Sequence, residues 1–394
     1  MKNLPKLIHI TVWMWSAVLA GGLASQAAIA APFVPTSDNQ VLQKLPARAA
    51  DPVAKELATV RSSASQRPKD PATQAALVQR YVDLANAQGD PRYIGYADAV
   101  VSAFAGPLSP ELLTLKGVLR QYRHDFQGAL QDFAQALTLD PSYAQAHAWR
   151  GAIYLVQADY SAARKECTAL KQLGRDALHG ACLGLTQSYS GDLSAGYETL
   201  RQALAQARST ASQLWLLTRM GEVAAWQGQT AIARQHYQQA LALGQDDIYL
   251  LAAWSDFLLD NGQAADVVKL LSSWESADSL LVRLAIAETL TGSPKAAAHV
   301  KMLADRFAAA RSRGDTTHLA EESRFELQVR KDAPTALRLA QENYAYQREP
   351  RDARVLLEAA VVARQATAAQ PVVDWLSASS FGDLRMKQLA KELK

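Results

Sequence analysis

Residues 110–143 read PELLTLKGVLRQYRHDFQGALQDFAQALTLDPSY. Counting Pro110 as position 1, Leu113, Gly117, Ala129, Phe133, Ala136 and Pro141 fall at positions 4, 8, 20, 24, 27 and 32 of a 34-residue unit. That spacing describes two antiparallel helices. Small residues at 8 and 20 let the helices approach closely, and bulky residues at 4, 11 and 24 fill the space beside them. Proline at 32 stops the second helix, because it lacks an amide proton and its ring clashes with the preceding turn.

The same register recurs on both sides. Units begin at Ala75 (Val78, Tyr81, Ala85), Ala144 (Gly151, Tyr154, Ala163, Cys167) and Ala177 (Gly184, Gly196, Leu200, Ala203). Further units begin at Leu214 (Gly221, Ala233, Tyr237), Ile248 (Leu251, Leu258, Val267) and Asp278 (Leu281, Ala285, Ala297). A fixed period of this length is the signature of a repeat array. The pattern resembles the tetratricopeptide repeat, in proteins of the exported bacterial type, over residues 75–311 and in degenerate form to about residue 350. Most units lack the tryptophan at position 4 and the proline at 32. The resemblance implies an all-α, right-handed superhelical solenoid of about seven antiparallel helix hairpins. Asp70-Pro71 marks its start, an N-cap followed by proline at the first helical position. Residues 351–394 read as two closing helices, Asp352–Ala369 and Phe381–Leu393, since an end unit must show a polar outer face.

Composition excludes several function classes. Of 394 residues, 49% are hydrophobic and 20% charged, enough apolar surface for a core. Forty-one Lys and Arg against 38 Asp and Glu leave +3, which argues against nucleic acid as a partner. Two cysteines exclude a disulfide-dense scaffold and a cysteine-rich zinc domain.

The N-terminus reads as an address. Lys2 and Lys6 precede an apolar run from Leu7 to Ala20, Gly21 and Gly22 break it, and Ala28-Ile29-Ala30 places small residues at a cleavage site. Residues 1–30 are thus expected to be a secretory signal cut before Ala31, delivering the chain to the periplasm or outside the cell. The rival reading is an uncleaved anchor, weakened by His9, Thr11 and marginal length. No cysteine follows the run, so a lipoprotein anchor is not expected, and no other segment is long and apolar enough to span a membrane. Cleavage removes two Lys and no acid, leaving +1. Residues 31–70 form a Pro/Ser-rich linker with one short helix near Pro52–Val60, and residues 71–350 are the array.

Searches for chemistry return nothing: no P-loop, dinucleotide fingerprint, nucleophile elbow or H-E-x-x-H. No two mature histidines stand three or four residues apart, so no helical metal pair exists. No cofactor, metal or catalytic residue is expected. His147 reads as a packed core histidine. The pairs Glu321-Glu322 and Asp246-Asp247 read as solvated or capping groups, since neighbours on a helix do not face each other.

Cys167 falls on the second helix of one unit and Cys182 on the first helix of the next, each seven or eight residues from the connection at Gly174–Asp176. At 1.5 Å per residue this brings both to the same height. A disulfide stapling two repeats and a pair of separately buried thiols both remain open; export favours the bridge.

In arrays of this family, positions 2, 5, 9, 12 and 13 face the concave side. Here they supply Tyr122, Tyr189, Trp215, Trp226 and Tyr249, with Glu222, Asp83, Asn86, Gln121 and Asp256 as polar neighbours. The partner-binding candidates are Tyr122, Tyr189, Trp215, Glu222, Trp226 and Tyr249. No cation stands at position 5, so capture of a C-terminal carboxylate by that route is not expected. The resemblance implies an exported scaffold that binds a protein or peptide in its concave groove. Alternatives are an envelope assembly factor bridging several partners and a glycan-binding or carbohydrate-directed protein.

Overall fold

The computed structural model describes Ser37 and residues 51–393. The signal at 1–30, its cut before Ala31, and the linker up to residue 50 apart from Ser37 lie outside the described residues.

Among the described residues there are twenty α-helices and no strand. Helix α1 (Pro52–Gln66) precedes seven hairpins. These are α2 (Pro71–Gln88) with α3 (Arg92–Ala103), α4 (Pro110–Tyr122) with α5 (Phe126–Leu139), and α6 (Ala144–Val156) with α7 (Tyr160–Gln172). Next come α8 (Asp176–Tyr189) with α9 (Leu193–Gln206), and α10 (Thr210–Trp226) with α11 (Thr230–Leu241). Then follow α12 (Ile248–Asp260) with α13 (Ala264–Leu271), and α14 (Asp278–Thr291) with α15 (Ala296–Ser312). An eighth pair joins α16 (Leu319–Phe325), extended by a π-turn at Glu326–Arg330, to α17 (Ala333–Tyr346). The chain closes with α18 (Pro350–Ala363), a 3-10 turn at Ala366–Ala369, α19 (Gln370–Ser379) and α20 (Leu384–Glu392). None of these helices is long and apolar enough to cross a membrane. The architecture is an all-α solenoid of antiparallel hairpins.

A local code makes the turns within hairpins. His124, Ala158 and Gly191 take positive φ (61°, 60° and 105°), and each is followed by an aspartate. Asp125, Asp159 and Asp192 accept from the amides of Gly128, Ala162 and Ala195 at 3.0, 2.9 and 3.0 Å. Each such N-cap is worth about 1 kcal/mol, because it satisfies an amide the helix cannot. Between helices, position 8 meets position 24: Gly117 lies under the Phe133 ring and Gly221 under Tyr237. Phe133 is fully buried there and Tyr237 nearly so.

Cys167 of α7 and Cys182 of α8 form a disulfide, with Cα atoms 5.4 Å apart. It ties the second helix of one hairpin to the first helix of the next.

Two of the expected segments are corrected. The linker's second half is not an extended spacer with a short helix. Helix α1 runs 15 residues and packs Leu57, Val60 and Ala64 against the core around α2. The closing segment has three helices rather than two, and it does more than end the stack. Residues 348–385 return across the turns of earlier hairpins. The Arg348 amide donates to the Val156 carbonyl at 2.7 Å. Trp375 Nε1 donates to the Tyr160 hydroxyl at 2.8 Å, across 215 residues of sequence. The Ser379 carbonyl sits where a Cβ on Gly191 would be, so only glycine fits, and its left-handed φ reinforces the requirement. Asp260 at the end of α12 receives both Arg354 and Arg385. At the other end Gly89, closing α2, lies against Ala277 and Ile248. The array therefore curls until its first hairpin meets its sixth and seventh.

Candidate functional site

The concave positions do converge, but on two different environments. Tyr189 is 2% exposed. Its ring packs edge-on to Trp226 at 5.9 Å, and Trp226 packs on Phe381 at 5.3 Å. Tyr189 is thus covered by the chain's own C-terminal segment, and the reading of it as a partner-binding aromatic is corrected; Trp226 packs on that segment but stays half-buried and lines a cavity of about 260 Å³. Large apolar surface next to a vacant groove would be left wet; here residues 349–386 bury it.

The other four candidates lie around a chamber of about 860 Å³, except that Glu222 stands just behind its wall. Trp215, 36% exposed, and Tyr249 hold Arg219 between them, the guanidinium carbon 5.4 and 4.1 Å from the two ring centroids. Glu222 Oε2 pairs with Arg219 at 3.0 Å, and its Oε1 accepts from the Tyr249 hydroxyl at 2.6 Å. Cation–π contact and ion pairing together lock this trio. Tyr122 enters the chamber from α4 and Trp149 from α6. Neighbouring cavities of about 590 and about 280 Å³ share lining residues with it, Tyr122 and His318 among them. The main chamber lies within the ~300–1,000 Å³ span of small-ligand sites.

The chamber's charges arrive in pairs. Arg92 is bound to Asp90 at 2.6 Å, Arg283 to Asp256 at 2.7 Å, Arg306 to Asp278 at 2.6 Å and Arg351 to Glu349 at 3.1 Å. Asp256 also receives Arg324 at 2.8 Å. Burial pushes its carboxyl up, but the two guanidiniums outweigh burial and hold it below the usual carboxylate range. Glu321 behaves likewise: burial is opposed by Arg283, His318 and Arg351, which keep it ionised. Asp352, behind the wall, goes the other way. Burial is the largest influence and, with Glu349 beside it, raises the carboxyl to about 7 against the pull of Arg351 and Asn343.

Sequence reasoning missed Arg219, Arg283, Trp149, Glu321, His318 and Arg351. The first three stand at position 6 of their units, one residue beyond the position searched for cations. One residue turns a helix by about 100°. Adjacent Glu321 and Glu322 part company: Glu322 is buried against Arg311, while Glu321 faces the chamber. Neither is the solvated or capping group the sequence indicated. His147, by contrast, is hydrogen-bonded to Glu166 at 2.6 Å and to the Pro141 carbonyl at 3.2 Å.

No family model and no curated protein matches the chain. Similar solved structures include the APC/C hetero-tetramer Cut9–Hcn1, at 15% identity and TM-score 0.41, covering 78% of this chain and 52% of that one. The chain thus spans about half the length of that neighbour. The human IFIT1 dimer with m7Gppp-AAAA is 14% identical at TM-score 0.41, covering 83% of this chain and 86% of the other. The P58(IPK) TPR domain is 14% identical at TM-score 0.22, covering 81% and 95%.

Proposed function

We propose that this chain is an exported scaffold that binds a partner through the chamber on its concave side. The observation that carries the reading is convergence. Side chains from α4, α6, α10, α12, α14 and α18 meet in one cavity, from both ends of the array. The course of α18–α20 over Tyr189 and Trp226 supports an enclosed chamber over a groove for a long helical peptide. A chamber of this size favours a short segment or a small molecule as the ligand. The outward second helices remain for protein contacts, in keeping with a scaffold.

Crosslinking in the native cell envelope, with the wild type and with Trp215→Ala and Tyr122→Ala, tests the site. Loss of a crosslinked partner in variants that melt normally supports it. Unchanged recovery in both counts against it. Fractionation of the envelope tests the exported location.

A further inference from the structure

The chamber wall specifies a ligand class, and the inference rests on the reading that the chamber is where this chain binds. Five arginines border the space, and each already has a carboxylate at hydrogen-bonding distance. A polyanion would have to compete with these internal carboxylates. A cation finds Glu321 and Asp247, but Glu321 lies in the field of Arg283, His318 and Arg351, and Asp247 is taken up capping α12 through the Leu250 amide. Net charge on the ligand is therefore disfavoured from both sides.

What remains unpaired is polar and mixed. The indole N–H groups of Trp149 and Trp215, the Tyr122 hydroxyl and the Glu321 carboxylate line the chamber and have no side-chain hydrogen-bond partner among the described residues. Arg219 Nε is buried without a partner. Three are donors only, one accepts only, and the phenol does either. A hydroxyl group satisfies each of them, because it donates and accepts. The flat faces of Trp149 and Trp215 suit the C–H faces of a pyranose ring.

We infer that the chamber binds a neutral oligosaccharide. The test uses the full mature chain and follows tryptophan fluorescence and calorimetric heat. The probes are neutral hexose and N-acetylhexosamine oligosaccharide series, an acidic oligosaccharide series, and a pool of short neutral peptides. One neutral series is expected to bind saturably and to perturb the fluorescence, with affinity falling about tenfold or more in Trp215→Ala and in Glu321→Ala. Melting curves verify that both variants fold, and the wild-type fluorescence response stands if either does not. Binding of the acidic series alone, weakening with salt, would overturn the inference. Peptide binding lost in Trp215→Ala, with no sugar binding, overturns the ligand class and leaves the chamber reading intact. Sugar binding undiminished in both folded variants overturns both.

Discussion

The Tyr189 hydroxyl donates to Glu349 Oε1 at 3.3 Å, joining groups 160 residues apart. Both are buried. Glu349 also caps α18 and pairs with Arg351. Tyr189→Phe should therefore leave a buried carboxylate short of one donor and cost about 1–3 kcal/mol. Urea unfolding reads this directly, and a midpoint equal to wild type would show the bond to be dispensable.

Phe381 is fully buried between Trp226 and Trp375, with ring centroids 5.3 and 4.9 Å away. Phe381→Ala should cost about 3–5 kcal/mol and shift the tryptophan emission to the red. Val362, 59% exposed, is the control: its alanine variant should stay within about 0.5 kcal/mol of wild type.

These two sites also mark where sequence reading stopped. The hairpins were legible because Gly117 against Phe133 and Gly221 against Tyr237 repeat one local relation. The inward direction expected of Trp215 and Tyr249 came from the family resemblance. The fate of Tyr189 and Trp226 was not, because it depends on Glu349 and Phe381, which carry no repeat signature. Periodicity reports what a helix does with its own neighbours, and pairings across 160 residues have no period. Arg219 and Arg283 were missed by a single step along a helix, which is enough to move a side chain to another face.

Reduction of Cys167–Cys182 releases a loop of 15 residues. In the chain-entropy account a loop of this length is worth about 3 kcal/mol. The reduced chain should melt several degrees lower than the oxidised one, and Cys167→Ala with Cys182→Ala should match the reduced form. Two reactive thiols in the unreduced, denatured protein would contradict the bridge.

Asp352 confers a pH dependence with a defined sign. Its carboxyl lies at about 7 in the fold, above its ordinary 3.8. Between these values the folded state holds a proton that the unfolded state has lost. Its contribution is therefore complete at the acidic end and lost as pH rises through 7. Glu349, held low despite burial by Arg351 and Arg219, acts in the opposite sense only below its ordinary 4.5. Half-buried His124 and buried His236, both lowered chiefly by desolvation, oppose the trend near 6.5. The comparison with Asp352→Asn cancels them: from pH 4.5 to 7 the wild type should lose stability relative to the variant. Parallel curves would show Asp352 to be ionised throughout.

The N-terminal sequence of protein recovered from the envelope should begin at Ala31. A start at Met1 would refute cleavage.

In most repeat arrays each unit touches only its neighbours, so the stack can form from either end and fray from either end. Here the core around Tyr189 and Trp226 is completed by Phe381 and Met386, which are synthesised long after the hairpins they cover. Until they arrive, the middle hairpins carry an uncovered apolar edge. The chain should consequently unfold in one cooperative step instead of unzipping, and refold slowly for a helical protein because its decisive contacts are distant in sequence. A nascent chain stalled before residue 381 would need a chaperone to keep that edge from aggregating.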